Sequence, residues 1–326
     1  MFFFRYPVSA FSNRPVCFWP VLGVVAPVLL VLGLMIPQVV KAKERPAPGS
    51  AMARVSHEAR GSSEAFWTEE RIAEAVSSPP KAALETGIAP LERSGQLRHS
   101  PPDFQNPAVG KIVYTAGGSS YSCSGTLLES RSRRIVLTAA HCLRYRGVWS
   151  SRIRFLPGFD RGSTPYGTWG WKTAWITTGW ARSSGPWSEG NVNFDLGLIV
   201  LSQRLGDRID GIEFQSFPQR KGQTRILGYP AGSLAGRELR MCQTSTWAGP
   251  AFSFGLPGPT GMAGYCDMAG GSSGGPWLST YNNPNNPDEP NLILDGVTST
   301  GLVGADVFSS PYLGSQFVEM LRKAQN

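Results

Sequence analysis

The chain has 326 residues, of which 41 % are hydrophobic and 17 % are charged, and it carries a formal net charge of +8. This balance is typical of a globular protein, and the length allows a leader followed by a domain of about 200 residues. The basic residues are spread singly, whereas nucleic-acid surfaces more often form a basic stripe with interleaved aromatic side chains, so we expect no nucleic-acid partner.

The first feature along the chain is an apolar segment at residues 16–40, which contains no charged residue and has basic residues on both flanks. Such a segment is an export signal or a membrane anchor. Pro20, Pro27 and Pro37 make a stable spanning helix less favourable, so we assign residues 1–42 to a cleaved signal peptide in preference to a retained anchor. The protein is then secreted or periplasmic, and the alternative is membrane attachment with the remaining chain outside the cytoplasm.

Residues 43–107 are polar and rich in proline, which is typical of a linker or a pro-segment. Within them, residues 63–76 show a roughly helical spacing of apolar side chains. We interpret this stretch as a candidate pro-segment, and a disordered spacer is the alternative.

From residue 108 onward, short apolar runs alternate with clusters of Gly, Pro, Ser and Asn. The runs are residues 111–114, 134–138, 196–201, 224–227 and 292–294. Short strands of this kind, separated by turns, are typical of an all-β barrel or sandwich. Only the stretch at 311–323 predicts a helix, because apolar residues recur at helical spacing and basic residues stand near its end.

The cysteine pattern indicates disulfides. Cys17 lies in the apolar leader, and the other four cysteines are Cys123, Cys142, Cys242 and Cys266. No two of them form a C-x-x-C pair, which disfavours a zinc ribbon or a redox motif. An even number behind an export leader favours two disulfides formed in an oxidising compartment.

One histidine stands out because of its position. The sequence has three histidines, and His57 and His99 fall within residues 43–107. If the folded domain uses an imidazole base, only His141 can supply it. His141 comes shortly after the apolar run at 134–138. The three residues before it, Thr138-Ala-Ala140, are small, and the residue after it is a cysteine.

Five motifs resemble those of trypsin-like serine peptidases, and they occur in the order of that family. They are Cys123-Ser-Gly-Thr-Leu127, Thr138-Ala-Ala-His-Cys142, Asn193-Phe-Asp-Leu-Gly-Leu-Ile199, Gly271-Ser-Ser-Gly-Gly-Pro276 and Gly296-Val-Thr-Ser-Thr-Gly301. The resemblance implies an all-β, chymotrypsin-like domain at 108–326. It would consist of two six-stranded antiparallel β-barrels, at about 108–215 and 216–310, with the active site between them and a C-terminal helix.

The resemblance also implies the catalytic roles. Ser273 would be the nucleophile, and His141 would accept its proton and return it to the leaving amine. Asp195 would orient the imidazole, and the backbone N–H groups of Gly271 and Ser273 would form the oxyanion hole. The expected reaction is hydrolysis of peptide bonds in polypeptides through an acyl-enzyme, without a metal or an organic cofactor, by a monomer. The alternative is a catalytically silent relative that binds peptides.

Ser272 departs from the animal enzymes, which carry Asp at this position to pair with an N-terminus freed by zymogen cleavage. No Ile-Val-Gly-Gly start precedes Cys123. In both respects the chain is similar to the bacterial secreted branch that includes the glutamyl endopeptidases. The same resemblance implies the disulfides Cys123–Cys142 and Cys242–Cys266.

The resemblance leaves substrate specificity open. Asp267 takes the position at the base of the trypsin specificity pocket, which would favour cleavage after Arg or Lys, but in the bacterial branch this residue need not face the substrate. Met268 beside it is bulky and apolar. Thr298 stands where glutamate-specific relatives have histidine, which disfavours glutamate specificity. Thr298 belongs to the motif at 296–301, which resembles the strand that lines the substrate cleft in this family. In the same motif, Ser299 is expected to hydrogen-bond the catalytic aspartate, and Gly301 to offer backbone groups to an extended substrate.

Overall fold

A computed structural model describes residues 53–56, 65–77, 98–99, 106–182, 192–231, 236–249, 258–283, 286–302 and 306–326. The predicted signal or anchor at 1–42 and most of the predicted pro-segment or linker at 43–107 therefore lie outside the described residues. The described part contains three α-helices: α1 (Glu69–Glu74), α2 (Thr178–Arg182) and α3 (Ser315–Ala324). None of these helices is long and apolar enough to cross a membrane.

The described residues are mainly β-structure. The strands are β1 (Ala53–Ser56), β2 (Val76–Ser77), β3 (Arg98–His99), β4 (Val109–Ala116), β5 (Ser119–Leu127), β6 (Ile135–Thr138), β7 (Arg144–Tyr145), β8 (Val148–Trp149), β9 (Ser151–Pro157), β10 (Trp169–Ile176), β11 (Gly197–Leu201), β12 (Gly222–Gly228), β13 (Arg240–Ala248), β14 (Met262–Tyr265), β15 (Pro276–Asn283), β16 (Asn286–Val297), β17 (Thr300–Leu302) and β18 (Val307–Ser310). Each of the five apolar runs singled out in the sequence overlaps one of these strands.

The first sheet closes into a six-stranded barrel. Its strands follow the order β10-β11-β6-β5-β4-β9, and β9 pairs again with β10, all antiparallel. Every residue of β6 and β11 is buried, which explains why these two strands read as continuous apolar runs instead of alternating ones. Gly125 lets the strands approach closely, because a Cβ there would lie 2.6 Å from Cδ1 of Ile112.

The second sheet forms the other barrel. Its order is β16-β15-β12-β13-β14-β18-β17. The end strands β16 and β17 are consecutive in the chain, and only Thr298 and Ser299 separate them. They therefore act as one interrupted strand that brings the ends of the sheet together. The predicted fold class, two antiparallel barrels of the chymotrypsin-like kind, is confirmed.

Helix α3 follows the second barrel in the chain but contacts β10 and β11 of the first. It begins at Ser315, four residues later than the start of the predicted stretch, because Gly314 is extended at the N-cap. Phe317 and Met320 are completely buried, and Phe317 makes an edge-on contact with Phe214 at 5.5 Å between ring centroids. The helix thus ties the chain beyond the second barrel back to the first.

Part of the segment before the domain is folded against the first barrel. Strand β1 pairs with β10, and β2 pairs in parallel with β5 at Tyr121 and Ser122. Between them, α1 buries Ile72, and the indole N–H of Trp67 donates to the carbonyl oxygen of Arg152 at 2.6 Å. The Nζ of Lys111, a buried residue of β4, donates to the carbonyl oxygen of Ile72 at 3.2 Å. Residues 65–77 are therefore anchored by pairing, packing and side-chain hydrogen bonds.

Candidate active site

His141 lies in a 3-10 turn, Ala140–Cys142, that directly follows strand β6. Its side chain is almost fully buried, with 1 % of its surface exposed. The next residue, Cys142, is bonded to Cys123 of strand β5, and this disulfide joins the turn to the neighbouring strand. The position of the imidazole is therefore set by a rigid strand on one side and a covalent link on the other.

Asp195 is fully buried, lies two residues before strand β11 begins, and makes three hydrogen bonds. Its Oδ1 accepts from the backbone N–H of His141 at 2.8 Å, and its Oδ2 accepts from Nδ1 of His141 at 2.8 Å and from the hydroxyl of Ser299 at 2.6 Å. A carboxylate only accepts, so Nδ1 carries the proton. In the neutral ring Nε2 is then the nitrogen that can take a proton. The expected hydrogen bond from Ser299 is present.

Ser273 lies in the loop between β14 and β15, so it comes from the second barrel while His141 and Asp195 come from the first. The backbone N–H of Ser124, in strand β5, donates to the carbonyl oxygen of Ser273 at 2.7 Å. The Sγ of Cys142 lies 3.9 Å from the same oxygen. These contacts bring the Ser273 backbone against the residue that follows His141, at the junction of the barrels.

The carbonyl groups of the loop have fixed directions. The carbonyl oxygen of Gly270 accepts from the N–H of Ala231 at 2.6 Å, and that of Ser272 accepts from the N–H of Gly275 at 2.9 Å. No peptide bond among the described residues is cis, and in a trans peptide the N–H points away from the C=O. The N–H groups of Gly271 and Ser273, the two predicted oxyanion donors, are therefore directed away from Ala231 and Gly275.

Gly271 occupies a place that a larger residue cannot take. Its φ is +92°, in the region that favours glycine, and a Cβ would lie 2.7 Å from the carbonyl oxygen of Tyr229. The glycine-rich motif is thus required by backbone geometry and by close packing against strand β12 and the residues after it.

The residues predicted to contact substrate have different surroundings. Asp267 is exposed, with Oδ1 3.8 Å from Sγ of Cys242, whereas Met268 is buried in the apolar cluster of the second barrel. Thr298 is fully buried, and its hydroxyl accepts from the indole N–H of Trp277 at 3.0 Å. Gly301 lies in β17 opposite Phe308 of β18.

Two residues beside the site, Trp180 and Ser124, are not among the predicted site residues. The ring of Trp180, from α2, lies 6.4 Å from the His141 ring between centroids, and its indole N–H donates to the carbonyl oxygen of Arg144 at 2.7 Å. Ser124 stands in the Cys123-Ser-Gly-Thr-Leu127 motif, in which only the cysteine carries a predicted role. No periodic pattern marks Trp180, since α2 has only five residues.

Both expected disulfides, Cys123–Cys142 and Cys242–Cys266, are present. Two groups of side chains among the described residues come close enough to share a metal ion: Cys123, His141 and Cys142, and Cys242, Cys266 and Asp267. Their cysteines are oxidised to these disulfides and offer no thiolate. The donor sets therefore do not suit a metal.

The comparisons with known proteins agree with this geometry. Residues 98–307 match the family model Trypsin. The chain is 28 % identical over 121 residues to the glutamyl endopeptidase of Bacillus licheniformis, and 31 % identical over 99 residues to the extracellular metalloprotease of Bacillus subtilis. These alignments span 35 % and 29 % of the two relatives, about a third of their length.

Solved structures match a larger part of the chain. The structure is similar to the protease Anisep from Arthrobacter nicotinovorans, with a TM-score of 0.58 and 28 % identity, covering 70 % of this chain and 98 % of that one. It shares its fold with the thermostable serine protease AL20 from an extremophilic microorganism, with a TM-score of 0.56, 24 % identity and coverage of 69 % and 99 %. With its two barrels and a family match over most of its length, this chain belongs to the trypsin family, and it is related to the glutamyl endopeptidases.

Proposed function

We propose that this protein is an exported serine endopeptidase that uses Ser273, His141 and Asp195. One observation carries the proposal: the buried carboxylate of Asp195 binds both the backbone N–H and the ring Nδ1 of His141 at 2.8 Å, next to the loop that holds Ser273. A histidine with a purely structural role does not need one carboxylate bound to both its backbone N–H and its ring. A general base needs it, because one tautomer must be kept with Nε2 turned to the nucleophile.

The proposed reaction has two halves. His141 Nε2 takes the hydroxyl proton as Ser273 Oγ attacks the carbonyl carbon of the scissile bond, and it then gives the proton to the leaving amine. The N–H groups of Gly271 and Ser273 stabilise the oxyanion of the tetrahedral intermediate. A water then attacks the acyl-enzyme, with His141 again as base. Asp195 holds the tautomer and stabilises the imidazolium throughout.

Two observations support export. Both disulfides join cysteines of the barrels, and such bonds persist mainly in oxidising compartments. The apolar segment at 16–40 precedes all the residues that the structure describes. Sequencing the N-terminus of the mature protein tests this step, and an N-terminus at Met1 in a protein recovered from the cytoplasm would contradict it.

Active-site labelling tests the reaction. A fluorophosphonate probe should label the wild-type protein at neutral pH and should not label Ser273→Ala. Ser272→Ala is the matched control: its hydroxyl donates to the carbonyl oxygen of Ala269 at 2.7 Å, so this variant should remain labelled. A correctly folded wild-type protein that never labels would favour the alternative, a silent relative that binds peptides.

Digestion of a proteome-derived peptide mixture, with the cut sites read by mass spectrometry, addresses specificity. Cuts after Arg and Lys that disappear in Asp267→Ala would assign the choice of residue to Asp267. Cuts after small or apolar residues that persist in this variant would exclude that role.

A further inference from the structure

We propose that Ser124 is a positioning residue for the oxyanion-binding loop, an inference that rests on the proposed peptidase function. Ser124 is fully buried in strand β5 of the first barrel. Its hydroxyl donates to the carbonyl oxygen of Gly271 at 2.9 Å and accepts from the backbone N–H of Tyr229 at 2.9 Å. One hydroxyl thus links the first barrel to two separate segments of the second.

The backbone of Ser124 strengthens the same link. Its N–H donates to the carbonyl oxygen of Ser273 at 2.7 Å, and its own carbonyl oxygen accepts from the hydroxyl of Thr138 at 2.8 Å. Every polar group of this residue is therefore used, and two of the four bonds end on the loop that carries the proposed nucleophile. A buried residue with this set of partners resists displacement, because each broken bond leaves a buried polar group unpaired.

The loop needs such a restraint because of Gly271. Glycine turns easily about both backbone angles, so the peptide units beside it can rotate and turn the N–H of the oxyanion hole away. Two hydrogen bonds remove this freedom. Ala231 holds the carbonyl of Gly270 on one side of the Gly271 Cα, and Ser124 holds the carbonyl of Gly271 on the other.

The restraint is neutral and comes from folding alone. Ser272, which is buried next to Gly271, carries no charge and donates to the carbonyl oxygen of Ala269 at 2.7 Å. It cannot form an ion pair with a freed chain N-terminus. We therefore expect the oxyanion loop to be formed as soon as the two barrels have docked, with Ser124 as the side chain from the first barrel that holds it.

The test compares Ser124→Ala with Ser122→Ala in the otherwise intact protein. Ser122 is the matched control, because it is a buried serine two residues along the same strand whose hydroxyl bonds the carbonyl oxygen of Ala75. Using the best peptide substrate found, Ser124→Ala should lower kcat on the order of tenfold to a hundredfold and leave KM within about twofold. Ser122→Ala should retain the wild-type kcat.

Two inhibitors of the same peptide sequence make the readout specific. A peptide aldehyde forms a tetrahedral adduct whose oxygen occupies the oxyanion hole, and the corresponding peptide alcohol does not. In Ser124→Ala the aldehyde should lose affinity by about the same factor as kcat, while the alcohol binds as before. The pH at half-maximal kcat should stay unchanged, because Ser124 makes none of the hydrogen bonds of Asp195 to His141.

Each other outcome decides against the proposal. Wild-type kcat in Ser124→Ala, a change in KM alone, or equal losses for aldehyde and alcohol would remove the positioning role. Failure of Ser124→Ala to fold while Ser122→Ala folds would assign Ser124 a purely structural role. If the wild-type protein itself is not labelled by fluorophosphonate, the proposed peptidase function fails first, and this result is distinct from the others.

Discussion

Asp195 controls both the place and the protonation pattern of the proposed base. The carboxylate accepts hydrogen bonds from the backbone N–H and the ring Nδ1 of His141, and the hydroxyl of Ser299 is a third donor, from the second barrel. The hydroxyl of Ser299 therefore connects the interrupted strand of the second barrel to the His–Asp pair of the first. The two barrels share one buried carboxylate.

Replacing this carboxylate by an amide should affect the rate far more than the fold. Asp195→Asn has the same shape, but its amide group can donate to Nδ1 and so favours the wrong tautomer of His141. We expect kcat/KM to fall about 10³- to 10⁴-fold. Ser299→Ala is the milder comparison, since it removes only one hydrogen-bond donor to Oδ2 of Asp195. It should lower kcat/KM about tenfold. Equal losses in the two variants would contradict this division of roles.

Lys111 should give the stability of the fold a distinct pH dependence. Burial, and then the charge of Arg237, lower the pKa of Lys111 from 10.5 to about 8. The unfolded chain therefore binds this proton more tightly, and the charged lysine opposes folding at neutral pH. The penalty, about 3 kcal/mol at 1.36 kcal/mol per pKa unit, should disappear as the pH rises from about 8 to about 10.5.

Denaturant unfolding at pH 7 and at pH 10 checks this expectation. The free energy of unfolding of Lys111→Met, relative to that of the wild type, should be higher at pH 7 than at pH 10. The reason is that the wild type loses the penalty of its charged Lys111 over this range, whereas the variant has no such penalty to lose. Lys172→Met removes an exposed lysine from strand β10. Its free energy of unfolding should differ from that of the wild type by the same amount at both pH values. A pH-independent effect of Lys111→Met would contradict the lowered pKa.

At the scale of elements, the segment before the domain is attached to the first barrel at several points. Strand β2 pairs with β5, strand β1 pairs with β10, and α1 lies between β1 and β2 in the chain. Strand β2 has only two residues, and the buried side chains of Trp67 and Ile72 add packing to its pairing with β5. We therefore expect the segment to open as a unit without unfolding of the barrel.

Trp67→Ala should release residues 65–77 selectively. The lost packing and the lost bond to the carbonyl oxygen of Arg152 should raise amide hydrogen exchange in this segment at least about tenfold, while strands β6 and β11 keep their protection. Trp67→Phe, which keeps an aromatic ring but removes the N–H, should give a smaller increase. Faster exchange across the whole barrel in Trp67→Ala would show that the segment is part of the barrel's cooperative unit.

For the whole molecule, the disulfides divide between the two barrels. Cys123–Cys142 lies in the first, next to His141, and Cys242–Cys266 lies in the second. Their sequence separations are 19 and 24 residues, so the chain-entropy model gives each a similar stabilisation of about 3 kcal/mol. Their effects on the active site should differ, because only the first fixes the turn that carries the imidazole.

Replacing either pair of cysteines by alanine should thus lower the free energy of unfolding by a similar amount, about 3 kcal/mol. The rate of fluorophosphonate labelling, measured well below the melting temperature, should fall markedly only when Cys123 and Cys142 are replaced. An equal loss of labelling in both double variants would show that the barrels do not constrain the site separately.

The sequence predicts the parts of this molecule whose signal is local. The strands β6 and β11 appear as apolar runs, and the loop around Gly271 and Ser273 appears as a glycine-rich motif, because burial and backbone geometry restrict the residue types there. The chymotrypsin-like arrangement followed from motif order through the family resemblance. The pairing of β2 with β5 and the contact of Trp180 with His141 depend on long-range packing, which leaves no periodicity in the chain.

The attachment of α3 has a consequence for timing. This helix is synthesised after the second barrel, yet it covers β10 and β11 of the first. On the ribosome, the half of the molecule that carries His141 and Asp195 must wait with an uncovered apolar surface until the half that carries Ser273 has been made. Helix α3 therefore completes the apolar packing of the first barrel only after the second barrel has been synthesised.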